Sequence, residues 1–226
     1  MNESELLQRY RQVRLPDVSD ALDCLGFVDR YNMSPQMRPM WEGAKFVGIA
    51  HTVKLLPSAR ILYAMPYEDY KEKSGEMTDG CYGFVGNAKQ DEAVVVDAEG
   101  ISAGLFGSDV VMSLMQKGVV GMVIDGGCRD AREVRLERAP VFATVRTCAH
   151  VIGRLVFGSE NEPIHCAGVS VAPGDIVLGD DDGVLVVPRA LAAKALEIAE
   201  DILRMDKQSR RSKYEALGLD LDESVL

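Results

Sequence analysis

The sequence predicts an α/β fold, and three observations carry that expectation. Ala93–Asp97 and Val119–Ile124 (VVGMVI) are short apolar runs, long enough for buried strands and too short for helices. Between them, Asp109–Lys117 places Val110, Val111, Leu114 and Met115 at the spacing of one helix face, and Gly118 follows as a C-cap glycine. After residue 130 the alternation continues, with a short helix over 131–136 and a strand at Pro140–Val145. Strand, helix and strand in succession indicate a βαβ-type unit. At 226 residues and 47% hydrophobic, the chain suffices for one well-buried domain spanning 1–226.

The remaining elements follow in order. Residues 2–14 form an amphipathic helix with Leu6, Leu7, Tyr10 and Val13 on one side. Leu15 is expected to be extended before Pro16, and Asp17 to cap a second helix that ends at Leu25-Gly26. Residues 29–42 read as loop and Phe46–Leu56 as a strand. Ala59–Lys73 reads as a helix broken or restarted at Pro66. Ser74–Asn87 carries four glycines and reads as a surface insertion, with a lid over a site as the other reading. Val169–Val171, Ile176–Leu178 and Val184–Val187 are short strands. The Asp180-Asp-Asp-Gly183 turn between the last two is read as a hairpin, because its acids are consecutive rather than alternating as in a calcium loop. Pro188 opens a helix over 188–214, with Leu191, Ala195, Ile198, Ile202 and Met205 as its apolar stripe. Lys207–Lys213 is a basic run in its tail.

Chemistry concentrates between Gly104 and Asp130. Gly107-Ser108 opens the predicted helix, where free N–H groups and the macrodipole favour an anion. Asp125-Gly126-Gly127 reads as a tight turn delivering Cys128, Arg129 and Asp130. Arg129 can grip a carboxylate bidentately, and the hard carboxylate of Asp130 suits Mg²⁺ or Mn²⁺. An Arg-Asp pair bracing a surface turn, with Ser108 as a plain N-cap, fits the same spacing. Cys128 reads as a small turn residue rather than a nucleophile.

Several classes are argued against. A net charge of −10 disfavours nucleic-acid and anionic-membrane surfaces. The five cysteines are scattered and odd in number, as in reduced cytoplasmic proteins, and the N-terminus lacks a signal-peptide core. The three histidines are too dispersed for a zinc motif, and no Walker, nucleophile-elbow or dinucleotide glycine pattern occurs. Lys117 lies at the far end of its helix from Gly107-Ser108, which leaves a Schiff-base route without an obvious amine.

The block Gly121-Met-Val-Ile-Asp-Gly-Gly-Cys-Arg-Asp130 resembles the G-x-V-I-x-G-x-x-R-D segment of the RraA-like family. That family includes metal-dependent 4-hydroxy-4-methyl-2-oxoglutarate and 4-carboxy-4-hydroxy-2-oxoadipate aldolases. Val18–Leu22, Gly48–Val53, Ala93–Asp97, Pro173–Asp175 and Gly179–Pro188 match further family segments in order, over a core of 18–188. The tail Gly218–Leu221 is similar to the C-terminus of aldolase members. The resemblance implies a three-layer α/β/β sandwich of the swivelling type, assembled as a homotrimer or hexamer. It also implies a lyase that cleaves or decarboxylates a small 2-oxo acid through a pyruvate enolate, with oxaloacetate as one such substrate. Carried onto this chain, it assigns Asp130 to Mg²⁺ (or Mn²⁺), Arg129, Asp130 and Asp109 to catalysis, and Gly107, Ser108, Asp109, Val110 and Arg129 to the substrate. One position departs from the pattern: aldolase members carry an acid where this chain has Ser108, with Asp109 one place later. Either Asp109 takes over after a local shift, or this branch lacks that carboxylate. Some relatives are non-catalytic inhibitors of ribonuclease E, which is the alternative function. A carboxylate-binding protein without turnover is the third.

Overall fold

The computed structural model describes residues 2–226. Its main sheet contains, in chain order, β1 (Arg38–Pro39), β2 (Phe46–Pro57), β3 (Glu92–Asp97), β4 (Gly104–Phe106), β5 (Gly121–Cys128), β6 (Val141–Arg146) and β7 (Leu155–Glu160). A separate two-stranded hairpin follows, β8 (Ile164–Cys166) with β9 (Val169–Val171), and then β10 (Ile176–Asp180) and β11 (Gly183–Val187) rejoin the main sheet. The helices are α1 (Glu3–Tyr10), α2 (Leu15–Cys24), α3 (Tyr67–Lys73), α4 (Phe84–Asn87), α5 (Ser108–Gln116), α6 (Ala131–Leu136) and α7 (Ala192–Leu217).

The spatial order is β1-β6-β5-β3-β2-β10-β11, with β4 added to β5 and β7 to β2. The βαβ reading holds: β2, β3, β5 and β6 are parallel, and α5 and α6 make the crossovers β3-to-β5 and β5-to-β6. Strand β2 is the spine. One edge pairs with β3, and the other pairs antiparallel with β10 over its first half and with β7 over its second.

Alternation along the strands sends side chains into separate layers. Val94, Val96, Met122 and Ile124 face Phe84, Val111, Leu114 and Val134 of α4–α6. Val95, Val123 and Phe142 face the other way, onto the β8–β9 hairpin and Val177, Val184 and Val186. The outer face of β10–β11 is covered by α1, α2 and α7 through Tyr10, Leu22, Ala195 and Leu196. Helix layer, sheet and second β layer make the three-layer α/β/β arrangement. His51 on β2 lies almost completely buried between Glu92 of β3 (2.9 Å) and Glu160 of β7 (2.7 Å), clasping three strands.

Several local expectations change. Leu15 is helical, because Pro16 falls in the first turn, where a missing N–H costs nothing; Asp17 sits at the third position and accepts from the Arg14 N–H at 3.0 Å. The first helix ends at Tyr10, although Val13 is still buried. Only Tyr67–Lys73 of the 59–73 stretch is helical. Residues 74–87 are not a mere surface insertion, since Met77, Cys81 and Phe84 are buried. Helix α7 runs 192–217 rather than 188–214, and Met205 of its predicted stripe is exposed. The Asp181-Asp182 hairpin turn is as expected. No described helix is long and apolar enough to cross a membrane.

Candidate active site

The cavity forms where two adjacent parallel strands end. Phe106 of β4 pairs beside Cys128 of β5, so Gly107 and Arg129, the next residues, emerge side by side. The backbone bond from Arg129 N–H to the Phe106 carbonyl (2.9 Å) locks that juxtaposition. Carboxyl ends of parallel strands are where α/β folds place ligands.

Asp125-Gly126-Gly127 is not the turn the sequence implied. These residues continue β5, with a register irregularity between Ile124 and Gly127. The glycines serve close packing instead. A Cβ on Gly127 would lie 2.5 Å from the Ala103 carbonyl oxygen. The reversal falls at Asp130, which is left-handed (φ 56°), a conformation that Asp tolerates better than most residues.

Asp130 then turns its carboxylate back across the start of α5. Its Oδ2 accepts the Ser108 N–H at 3.1 Å and lies 3.8 Å from Arg129 Nε. Both side chains depend on Gly107, the N-cap of α5: a Cβ there would sit 2.7 Å from Asp130 Oδ2 and 3.0 Å from Arg129 Nε. Among the described residues, no hydrogen bond occupies the two Nη groups of Arg129.

A cavity of about 380 Å³ opens here, lined by Gly107, Asp109, Val110, Ser113, Arg129 and Asp130, and also by Tyr82, Val85, Leu105 and His150. Five of the six expected site residues therefore meet in it. Ser108 does not line it. Its hydroxyl turns toward α6 and donates to Glu137, and its N–H is taken by Asp130 rather than free for a ligand. Asp109, one residue later, is the acidic residue from this pair that lines the cavity.

Sequence reasoning missed Tyr82 and His150. Tyr82 comes from the 74–87 segment and His150 from the loop after β6, and their rings meet edge to face at 6.4 Å between centroids. Burial raises the Tyr82 phenol to about 12, so it stays protonated. Burial, then the Arg129 and Arg154 cations, hold His150 below its usual range. Its Nδ1 accepts the Ile152 N–H at 3.2 Å, which leaves Nε2 as the protonated nitrogen of the neutral ring. Cys128 is fully buried, and burial pushes its thiol up to about 12, in keeping with a packing role. Lys117 remains at the far end of α5, where its ammonium donates to the Gly86 carbonyl at 3.0 Å.

Fold and site together define an α/β protein with a pocket lined by Arg129, Asp109 and Asp130 at the carboxyl ends of parallel strands. Residues 15–186 match the RraA-like family profile, described as Aldolase/RraA, and the chain belongs to that family. It is 29% identical over 213 residues to a Halalkalibacterium halodurans protein provisionally named a 4-hydroxy-4-methyl-2-oxoglutarate aldolase, covering 93% of this chain and 89% of that one. A Legionella pneumophila relative, DlpA, is 28% identical over 184 residues; the match takes in 81% of this chain but only 27% of DlpA. Among solved structures, Streptomyces coelicolor RraAS2, described as an unusual member of the RNase ES inhibitor RraA family, superimposes with a TM-score of 0.78 at 27% identity. It covers 92% of this chain and 97% of RraAS2. A Pseudomonas syringae protein shares the fold, with a TM-score of 0.77 at 23% identity over 99% of this chain and 93% of that one.

Proposed function

We propose that this protein is a divalent-metal-dependent lyase that cleaves or decarboxylates a small 2-oxo acid, releasing pyruvate by way of its enolate. The observation that carries this reading is the convergence of Arg129, Asp130 and Asp109 in one cavity at the start of α5. Aldolase names among the relatives point the same way.

The donor set fits Mg²⁺ or Mn²⁺. Among the described residues, no group of three or more His, Cys, Asp or Glu side chains is gathered for a metal. Mg²⁺ does not require such a cage, since it commonly takes one or two carboxylates and keeps water and substrate oxygens as its other ligands. Asp130 is the carboxylate assigned to it, with Asp109 on the same cavity wall. When bound, the ion supplies Lewis acidity toward the 2-oxo group.

The chain's own residues do the rest. The uncommitted Nη groups of Arg129 receive the substrate carboxylate and lie beside the negative charge that develops as the C3–C4 bond breaks. The Asp109 carboxylate takes the proton from the substrate hydroxyl in aldol cleavage, the role left open by Ser108. Tyr82 and His150 also line the cavity and bring a neutral hydroxyl and a neutral ring N–H. Val85, Leu105 and Val110 form an apolar side that limits water. Decarboxylation of oxaloacetate needs the same enolate stabilisation and no hydroxyl proton, so it would proceed without Asp109.

The test is pyruvate release from oxaloacetate and from 4-hydroxy-4-methyl-2-oxoglutarate, coupled to NADH oxidation by lactate dehydrogenase, with Mg²⁺, with EDTA, and with Asp130→Ala. Mg²⁺-dependent release that disappears in the variant is expected. Release from neither compound under any condition would overturn the assignment. The RraAS2 relative favours a second reading, a non-catalytic inhibitor of ribonuclease E, for which binding would be indifferent to EDTA and to Arg129→Ala. A carboxylate binder without turnover would take up oxalate and release no pyruvate.

A further inference from the structure

We propose that the far end of the substrate, the part carried on C4, is uncharged hydrocarbon, so that this chain prefers a monocarboxylic 2-oxo acid to one with a second carboxylate. The proposal rests on the lyase reading for where the substrate lies, and it names the class of molecule that the reading leaves open. Positive charge in the site is already allotted. Among the described residues that line the cavity, Arg129 is the one cation, and the C1 carboxylate takes its Nη groups. Guanidiniums nearby are committed to carbonyl oxygens: Arg154 Nη1 donates to His150 and Ile152 at 3.1 and 3.3 Å, and Arg146 Nη2 to Met40 at 3.1 Å. His150 does not supply the missing charge, because burial and the Arg129 and Arg154 cations favour its neutral ring. A second carboxylate would therefore enter beside Asp109 with no counter-ion of its own.

The lining suits hydrocarbon instead. Asp109 is the acceptor given to the C4 hydroxyl proton, so the substituents of C4 lie along the first turns of α5, where Val110 and Ser113 also line the cavity. Ser113 donates its hydroxyl proton to the Asp109 carbonyl at 2.9 Å and has only lone pairs left for a ligand. Leu105 of β4 is fully buried, and Val85, Val110 and Tyr82 pack on the core beneath the helices, so this apolar lining is set before a ligand arrives. A methyl or short alkyl group gains by burial there, whereas a carboxylate loses water with no cation to replace it. The neutral donors of Tyr82 and His150 serve a hydroxyl or carbonyl oxygen rather than a charge.

In cleavage of such a compound the C3–C4 bond breaks and its electron pair becomes the pyruvate enolate. The C4 hydroxyl gives its proton to Asp109, and C4 leaves as the carbonyl carbon of a neutral aldehyde or ketone. The enolate takes a proton from solvent at C3 to give pyruvate, and Asp109 returns its own proton to solvent. The second product therefore carries no charge.

The experiment reads binding first, so its outcome is separable from the lyase assignment. Calorimetry on the full chain with Mg²⁺ compares 2-oxopentanoate with 2-oxoglutarate, which differ only in a terminal methyl against a carboxylate and have no C4 hydroxyl to cleave. Binding of 2-oxopentanoate is expected to be tighter by about tenfold or more. Val85→Arg, which adds a cation to the apolar lining, should reverse the order, and Val85→Met, longer but uncharged, should keep it. Turnover should follow: 4-hydroxy-2-oxopentanoate should release pyruvate with about tenfold higher kcat/KM than 4-hydroxy-2-oxoglutarate, and 4-hydroxy-4-methyl-2-oxoglutarate should be a slow substrate too. Equal or tighter binding of 2-oxoglutarate by the wild type would overturn the proposal, and continued pyruvate release would then leave the lyase standing. Tighter binding of 2-oxopentanoate with no pyruvate from any compound would uphold the preference and remove the lyase. A preference that survives Val85→Arg in a folded protein would overturn the proposal as well, because the apolar lining would then not be what rejects the charge.

Discussion

Gly107→Ala is the most informative single change, because it separates the chemistry from the fold. The new methyl would fall 2.7 Å from Asp130 Oδ2, 3.0 Å from Arg129 Nε and 3.2 Å from Arg129 Cγ. Contacts that short force both side chains away from the start of α5. The backbone itself does not object: Gly107 is extended at φ −121° and ψ 169°, a region open to alanine. The loss of a good N-cap residue and the lower entropy of the unfolded chain act in opposite directions, each by no more than about 1 kcal/mol. The stability change should therefore be small, no more than a few degrees in Tm for a chain of this size. A displacement of about 1 Å in a catalytic constellation costs about 100-fold in rate. The Mg²⁺-supported pyruvate-release assay should show a loss of that order in kcat/KM, with oxalate binding weakened in parallel. Gly86→Ala is the control, because a Cβ there meets nothing within 4 Å. Wild-type kcat/KM in Gly107→Ala, at unchanged Tm, would refute the placement of the reacting centre between Arg129, Asp130 and the α5 terminus.

The other predictions are shorter. Arg129→Ala should cost on the order of 3 kcal/mol of transition-state stabilisation, seen as a fall of two or more orders of magnitude in kcat/KM, whereas an unaffected enzyme would remove the role given to the guanidinium. His51→Ala leaves Glu92 and Glu160 facing each other in a largely buried clasp; a loss of about 2 kcal/mol is expected, less than for a fully buried pair because Asn87 and the Lys89 N–H also serve these carboxylates. Thermal unfolding at neutral pH tests it, and an unchanged Tm would show that the clasp contributes nothing. His150 is held below its ordinary range in the folded state, so the unfolded chain binds its proton first as pH falls. Its contribution is therefore present above the unfolded value near 6.5 and is lost as pH drops toward the folded value. The Tm of a His150→Gln variant should fall less than the wild type's between pH 7 and 5, and parallel curves would contradict the burial argument.

How far the sequence could be read depended on whether a residue's role was local. Helix α5, its Gly118 stop and strand β5 were legible because a 3.6-residue stripe, a glycine at φ 83° and an apolar run each act within a few residues. Arg129-Asp130 fitted a surface-turn brace as well as a site by spacing, and it was the resemblance of Gly121–Asp130 to the RraA-like block that singled it out. Asp125-Gly126-Gly127 misled, since glycines that bend a chain and glycines that let neighbouring backbones approach have the same composition. Only the presence of β4 and β6 on either side of β5 distinguishes the two.

By itself, then, the sequence determined the strand–helix alternation and the hairpin at Asp181-Asp182, and it offered Gly107-Ser108 and Arg129-Asp130 as features that strand pairing then brought side by side. These follow from periodicity, turn chemistry and functional-group type, which need no partner distant in sequence. The tertiary structure alone decided that Tyr82 and His150, 68 positions apart by their numbering, bring their rings together, and that Asp109 rather than Ser108 lines the cavity. It alone left residues 59–73 exposed and set His51 between two carboxylates from other strands. Each of those facts depends on which strand lies beside which, and that order is set by how the whole chain buries its apolar faces rather than by any short stretch of residues.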